Sequence, residues 1–195
     1  MSDPVLHVFA GPNGSGKSTC FERVVEPITH IPFVNADIIA ADRWPESAAA
    51  HGYAAAEIAA AQRERNFASR ISFATETVFS HPSKIEMVER AQHCGYQVTL
   101  HIIVVPVELA IARVVSRVDN GGHSVPEAKI RARFDRLWRY LADAILLVDE
   151  ARVYDNSSAR VPFRLVATYR SGDAIGTADW PKWTPLALRE AGRST

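Results

Sequence analysis

Cysteine is scarce in this chain, net charge is absent, and no apolar run is long. The two cysteines, Cys20 and Cys94, form neither a paired CxxC metal pattern nor a disulfide framework. Both lie in stretches that read as helix, so buried free thiols are expected. Lys plus Arg and Asp plus Glu each number 22, giving a formal net charge of zero. That balance argues against a general nucleic-acid or membrane surface, although arginine is dense between Arg113 and Arg139. No apolar run reaches the roughly 18 residues needed to cross a bilayer, and the opening MSDPVLHVFAG lacks a charged segment ahead of a long apolar one. These absences predict a soluble, cytoplasmic protein with no membrane partner. Internal repeats and low-complexity tracts are missing too, and the alanines between 48 and 61 read as a device for close helix packing. A chain of 195 residues has one domain's length, and a single unit over 1–195 is expected.

What is present alternates. Residues 5–10 form a short apolar run ending in glycine, as a buried strand does, and 16–26 read as a helix stopping before Pro27. Residues 33–37 resemble a second strand, 45–70 a long helical region, and 71–77 a third strand. A helix over 84–93 halts at Gly95, and 96–105 is the strongest strand signal of all. Helices over 107–118 and 126–146 flank DNGGHSVP, and late strands fall at 151–154 and 163–169. Residues 171–195 show no period and receive no assignment. Such alternation predicts an α/β fold with a mostly parallel sheet covered by helices on both faces.

Gly11, Pro12, Asn13, Gly14, Ser15, Gly16, Lys17 and Ser18 match GxxxxGK[ST] between an apolar strand and the start of a helix. Glycines there let backbone N–H groups curl around a phosphate chain, and the helix N-terminus adds partial positive charge. Lys17 would reach the β and γ phosphates of ATP, the Ser18 hydroxyl would ligate Mg2+, and Thr19 would contact the α phosphate. A phosphate-loop NTPase or kinase fold is therefore expected.

The loop does not say where the γ-phosphoryl group goes. Ala144-Ile-Leu-Leu-Val-Asp149-Glu150 looks like an apolar strand ending in acids, as in ATPases. Its apolar positions Phe134, Leu137, Leu141, Ile145 and Val148 recur at helical spacing, so Asp149 and Glu150 read as a connector after a helix. Asp37 is expected at the carboxyl end of the second strand, the rim where open α/β sheets bind ligands, as a base for an attacking hydroxyl or as the cap of the helix that follows. Glu76 and Thr77 end the third strand at the same rim, where Glu76 would bind substrate hydroxyls, hold magnesium through water, or pair with an arginine. A transfer site must neutralise the γ-phosphate and exclude water. Arg117 before Gly121-Gly122, and Arg131, Arg133 and Arg136 after Pro126, suit an arginine-bearing lid hinged over 119–126, or a helical hairpin with a solvated basic face. His123 reads as a loop hydrogen-bonder, since no His or Cys stands at ligand spacing from it.

Together, GPNGSGKST, FVNADIIA, FATETVFS, RVDNGGHSVPEAKIRARF and VYDNS run in one order across about residues 5 to 158 and resemble the zeta-toxin family of phosphate-loop kinases, its short chromosomal members above all. The resemblance implies a nucleoside-kinase type of fold, ATP as phosphoryl donor, the 3′-hydroxyl of the sugar in UDP-N-acetylglucosamine as acceptor, and an antitoxin protein as partner. It carries the base role onto Asp37, substrate contact onto Glu76, and γ-phosphate contact onto Arg117 and Arg133, with Arg131 as the alternative to Arg133.

Overall fold

The two strongest apolar runs become neighbouring strands at the centre of a sheet. The computed structural model describes residues 3–119 and 125–192, so Gly121, Gly122 and His123 of the expected hinge lie outside the described residues. Strands β1 (Val5–Ala10) and β4 (Gln97–Val104) pair in parallel. On one side β3 (Phe73–Thr77) and then β2 (Phe33–Val34) extend the sheet in parallel, and on the other β5 (Glu150–Asp155) does the same. Strands β6 (Arg164–Arg170) and β7 (Asp173–Ala174) finish the far edge in antiparallel register. The order of the seven strands is β2-β3-β1-β4-β5-β6-β7. The chain moves one way from β1 toward β3 and the other way toward β4, so β1 is the switch point where ligands bind in open α/β sheets.

Successive strand residues point to opposite faces, and each face has its own core. Leu6, Val8, Leu100 and Ile102 pack with Val88, Leu137 and Leu141 in the larger cluster. Their sequence neighbours Phe9 and Ile103 join Cys20, Phe21, Val25 and Tyr154 in the other. The covering helices are α1 (Lys17–Cys20), continued by a π turn over Phe21–Val25 into α2 (Glu26–Thr29), then α3 (Ala36–Arg43), α4 (Gly52–Ala68), α5 (Ser83–His93), α6 (Val107–Asp119), α7 (Glu127–Leu147) and α8 (Leu186–Arg189). The expected mostly parallel sheet with both faces covered is thus the fold observed. No described helix is long and apolar enough to cross a membrane.

Several boundaries differ from the sequence reading for local reasons. Pro27 does not stop the first helix. It falls in the first turn of α2, after the π turn, where a missing N–H loses no intrahelical bond. The second strand pairs only through Phe33 and Val34, and Asp37 belongs to the first turn of α3 rather than to a strand end. Asp149 does lie in a connector, but Glu150 opens β5. Within 171–192, Leu188 is fully buried, and Trp180 and Trp183 pack against the larger core.

One pair of titratable groups is built into the sheet. His7 Nδ1 lies 2.9 Å from His101 Nε2, and the His101 ring stacks on Phe9 with centroids 4.5 Å apart. Such a bond needs one donor and one acceptor nitrogen, so the pair cannot hold a full set of protons. Burial, and then Arg152, lower His7 from 6.5 to about 4, with Glu150 opposing. Burial and His7 hold His101 well below the ordinary histidine range. Both rings bind protons more readily in the unfolded chain, so acid favours unfolding. The stability contributed by neutral His7 is complete above about pH 6.5 and falls as pH drops toward 4. The thermal midpoint should decline across that window, and His7→Gln should reduce the slope by up to about one proton. An unchanged slope would place the acid sensitivity elsewhere.

Candidate active site

The glycine loop between β1 and α1 is shaped by what presses on it. A Cβ on Gly14, which adopts φ +76°, would lie 2.4 Å from the Ala110 carbonyl oxygen of α6. On Gly16, at φ +92°, it would lie 2.7 Å from Asn156 Nδ2. Neither position has room for a side chain, and both need the left-handed region that glycine enters freely. The Asn156 amide donates to the Ser15 carbonyl at 2.8 Å, so the segment after β5 clamps the loop from outside. Pro12 contributes its carbonyl, which accepts from the Ser15 N–H at 3.2 Å and from Lys17 Nζ at 3.1 Å. Asn13 Oδ1 and Ser15 Oγ are buried without a hydrogen-bond partner in the protein.

Parallel register brings the acids to the loop. Ala10 stands opposite Thr77, Phe9 opposite Glu76, and Val34 opposite Thr75, so the ends of β1, β3 and β2 form one rim. Asn35, not Asp37, caps α3: its Oδ1 accepts the Asp37 N–H at 2.8 Å. The Asp37 side chain is thereby released from capping and lines a cavity of about 190 Å³ with Asn13, Lys17, Glu76, Arg117 and Arg133. Glu76 pairs with no arginine among the described residues; its Oε2 accepts from Ser18 Oγ at 2.5 Å. Thr77 also lines the cavity, while its hydroxyl accepts the Phe79 N–H at 3.1 Å.

The arginines divide. Arg117 on α6 and Arg133 on α7 both face the cavity. Arg131 faces away: it forms a bidentate pair with Glu108 at 2.8 and 3.0 Å and a further bond to Glu127 at 2.9 Å. Those carboxylates hold its guanidinium above the ordinary arginine range. Arg136 is exposed. Ile111, Val114 and Ile130 knit α6 to α7, so the two arginine-bearing helices form one packed hairpin.

Lys17 is 8% exposed, and burial pulls its ammonium below the usual lysine value. Glu76 and Asp37 oppose that shift, and Arg117 and Arg133 add to it. One ammonium, two carboxylates and two guanidiniums therefore act on one another across a single small space.

On the other side of the loop lies a second cavity of about 260 Å³, lined by Thr19, Arg23, Arg113, Asn156 and Phe163. Arg113 Nη1 is buried there without a hydrogen-bond partner. Sequence reading gave no role to Arg113, Asn156 or Phe163. Their only signal was the density of arginine around Arg113 and the YDN segment that closes β5.

A strand, glycine loop and helix at the switch point, beside an acid-bearing rim and a hairpin carrying arginines, define a phosphate-loop kinase fold. A family model described as an AAA domain matches residues 6–139, and the chain belongs to that family. A chain of the AvrRxo1-ORF1:ORF2 complex, solved with ATP, superimposes with a TM-score of 0.71 at 16% identity, covering 89% of this chain and 60% of its own. A chain of the PezAT chromosomal toxin-antitoxin system of Streptococcus pneumoniae gives 0.62 at 13% identity, covering 80% of this chain and 68% of its own. A chain of the Pnkp1/Rnl/Hen1 RNA repair complex gives 0.60 at 19% identity, with 73% and 47% covered. An uncharacterized protein of Haemophilus influenzae is 28% identical over 127 residues, 65% of this chain and 89% of its own. This chain thus spans 60% of the AvrRxo1-complex chain it matches. The fold is the zeta-toxin-like phosphate-loop kinase fold that the motifs led one to expect.

The crowding at Gly14 can be tested directly. Gly14→Ala should lower stability by about 1–3 kcal/mol through strain at a positive φ and collision with α6. Gly52→Ala, where nothing lies within 4 Å of the added carbon, should be neutral or slightly stabilising. Equal thermal midpoints for the two variants would contradict the packing described.

Proposed function

We propose that the protein is an ATP-dependent phosphotransferase that moves the γ-phosphoryl group to a hydroxyl of a small molecule. The observation that carries this reading is the release of Asp37 from helix capping by Asn35, which leaves its carboxylate in one cavity with Lys17, Arg117 and Arg133. The glycine loop would hold the phosphates of ATP through its backbone N–H groups and Lys17. The cavity containing Arg113 and Phe163 suits the nucleoside end. In the transfer step the acceptor oxygen bonds to the γ phosphorus, the bond from that phosphorus to the ADP oxygen breaks, and the acceptor proton passes to the Asp37 carboxylate. Lys17, Arg117 and Arg133 stabilise the charge that spreads over the equatorial oxygens.

Magnesium suits the donors present. Ser18 Oγ and Glu76 Oε2 stand 2.5 Å apart, an all-oxygen pair. Water and phosphate oxygens would complete its shell, since magnesium keeps such ligands. When bound, it would neutralise charge on the β and γ oxygens; Ser18 and Glu76 are the residues that would hold it.

UDP-N-acetylglucosamine is the first acceptor to try, from the motif resemblance, and an antitoxin-type protein is the partner to seek, since the PezAT system is a toxin-antitoxin pair. The alternative, an ATPase switch that passes phosphate only to water, drew on a strand ending at Asp149. Residues up to Leu147 are helical, and the Asp149 carboxylate accepts the Val98 N–H at 2.7 Å, at the opposite end of β4 from the loop. Asp37→Ala should lower transfer by a factor of about 10² to 10⁴ while ATP affinity stays within a few-fold, read by label transfer and calorimetry. Parallel loss of binding and transfer would remove Asp37 from the base role.

A further inference from the structure

The central strands carry a second polar cluster, set back from the rim toward their opposite end. On the face covered by the π turn and α2, parallel register sets His7 level with Thr99 and Glu150, and His101 level with Arg152. Val24 and Val25 of the π turn and Ile28 of α2 arch over these side chains and enclose a cavity of about 170 Å³. His7 stands three residues before Ala10, about 10 Å from the rim along the strand. No residue that lines this cavity also lines the one containing Asp37.

The hydrogen-bonding groups on its floor are donors. His101 is 1% exposed, and its Nδ1 is buried with no hydrogen-bond partner. An interior N–H left without an acceptor is the costlier unpaired state, which assigns the proton of His101 to Nε2, as donor to His7 Nδ1. Burial keeps the His7 ring neutral, so its single proton sits on Nε2, the edge turned away from His101. Arg152 donates from Nε to Glu150 and also contacts the Tyr154 hydroxyl. A guanidinium has five N–H donors, and these two partners do not exhaust them. The roof is hydrocarbon, and the Thr29 hydroxyl at its end donates to the Val25 carbonyl at 2.9 Å. Ile28, at the mouth, is 81% exposed.

We propose that this cavity is a binding site for a small organic carboxylate with a branched or aromatic hydrocarbon body. The carboxylate accepts from the Arg152 guanidinium and from His7 Nε2–H, and the body lies against Val24, Val25 and Ile28. Charge-assisted bonds to the guanidinium supply directionality, and covering the Ile28 side chain removes apolar surface from water. The volume matches that of about six waters in the liquid and falls below the roughly 300 Å³ at which pockets for drug-sized ligands begin. An acid the size of benzoate fits, and a nucleotide does not. The roof is the far part of one helical run that starts at Lys17 and Ser18 of the phosphate loop, and π turns recur at functional sites. The site stands independently of the phosphotransferase reading.

The test is calorimetric titration of the full chain with benzoate and 3-methylbutanoate, each compared with its alcohol, benzyl alcohol or 3-methylbutan-1-ol, and with acetate, which lacks the apolar body. At least one acid should bind about tenfold or more tightly than both its alcohol and acetate, and should shift the His7 imidazole signals in nitrogen-15 spectra. Arg152→Gln should bring that acid down to the affinity of its alcohol, and Val24→Phe, which fills the space, should abolish binding of both. Arg152 and Val24 are each partly exposed, so a cooperative thermal transition should survive either change; if Val24→Phe does not fold, Arg152→Gln decides alone. No saturable binding of either acid up to about 10 mM, equal affinity for acid and alcohol, or wild-type acid affinity in folded Arg152→Gln would overturn the site.

Discussion

Phe9 pairs with Glu76 and Ala10 with Thr77 across two parallel strands, and the cleft depends on that register. It sets the start of the glycine loop level with the acids at the end of β3, which lets Ser18 donate to Glu76. A slip of one residue would turn every β3 side chain to the opposite face, taking Glu76 away from the loop and Phe73 out of its own cluster into one packed around different side chains. Such slips are resisted because both faces of the strands are buried in separate apolar clusters. Core packing is thus what holds the polar constellation in place.

The loop is a second point of convergence. The Ala110 carbonyl closes on Gly14 and Asn156 on Gly16, so the segment that would carry phosphate touches both the arginine hairpin and the end of β5. Arg117 lies two helical turns beyond Ala110 on the same α6, and Arg133 follows through the packed α6–α7 hairpin. The Lys17 ammonium is then held among two acids and two arginines. A chain with no net charge has concentrated opposed charges at one rim, where burial strengthens each of them.

Much of this was legible in the sequence because the signals were local. The apolar runs at β1 and β4, the glycine loop and the helical period through Phe134 and Leu141 each declare themselves within a few residues. Asp37 was legible as a rim residue, although its exact setting was not. That Asn35 takes the cap depends on a β2 too short to reach it, and strand length is decided by pairing with β3. The choice between Arg131 and Arg133 needed the position of Glu108 on another helix. Asn156 and Arg113 were illegible for the same reason: each acts on a segment distant in the chain, and no spacing rule reports such a meeting. The π turn that carries the first helix past Pro27 likewise has no compositional mark.

On the phosphotransferase reading, this cleft passes phosphate to a hydroxyl and not to water. The most direct test is to incubate the protein with γ-labelled ATP, magnesium and UDP-N-acetylglucosamine, and to follow the label separately into sugar nucleotide and free phosphate. Phosphotransfer to this acceptor places the label in the sugar nucleotide, well above its release as free phosphate. Label found only in free phosphate would contradict that reading.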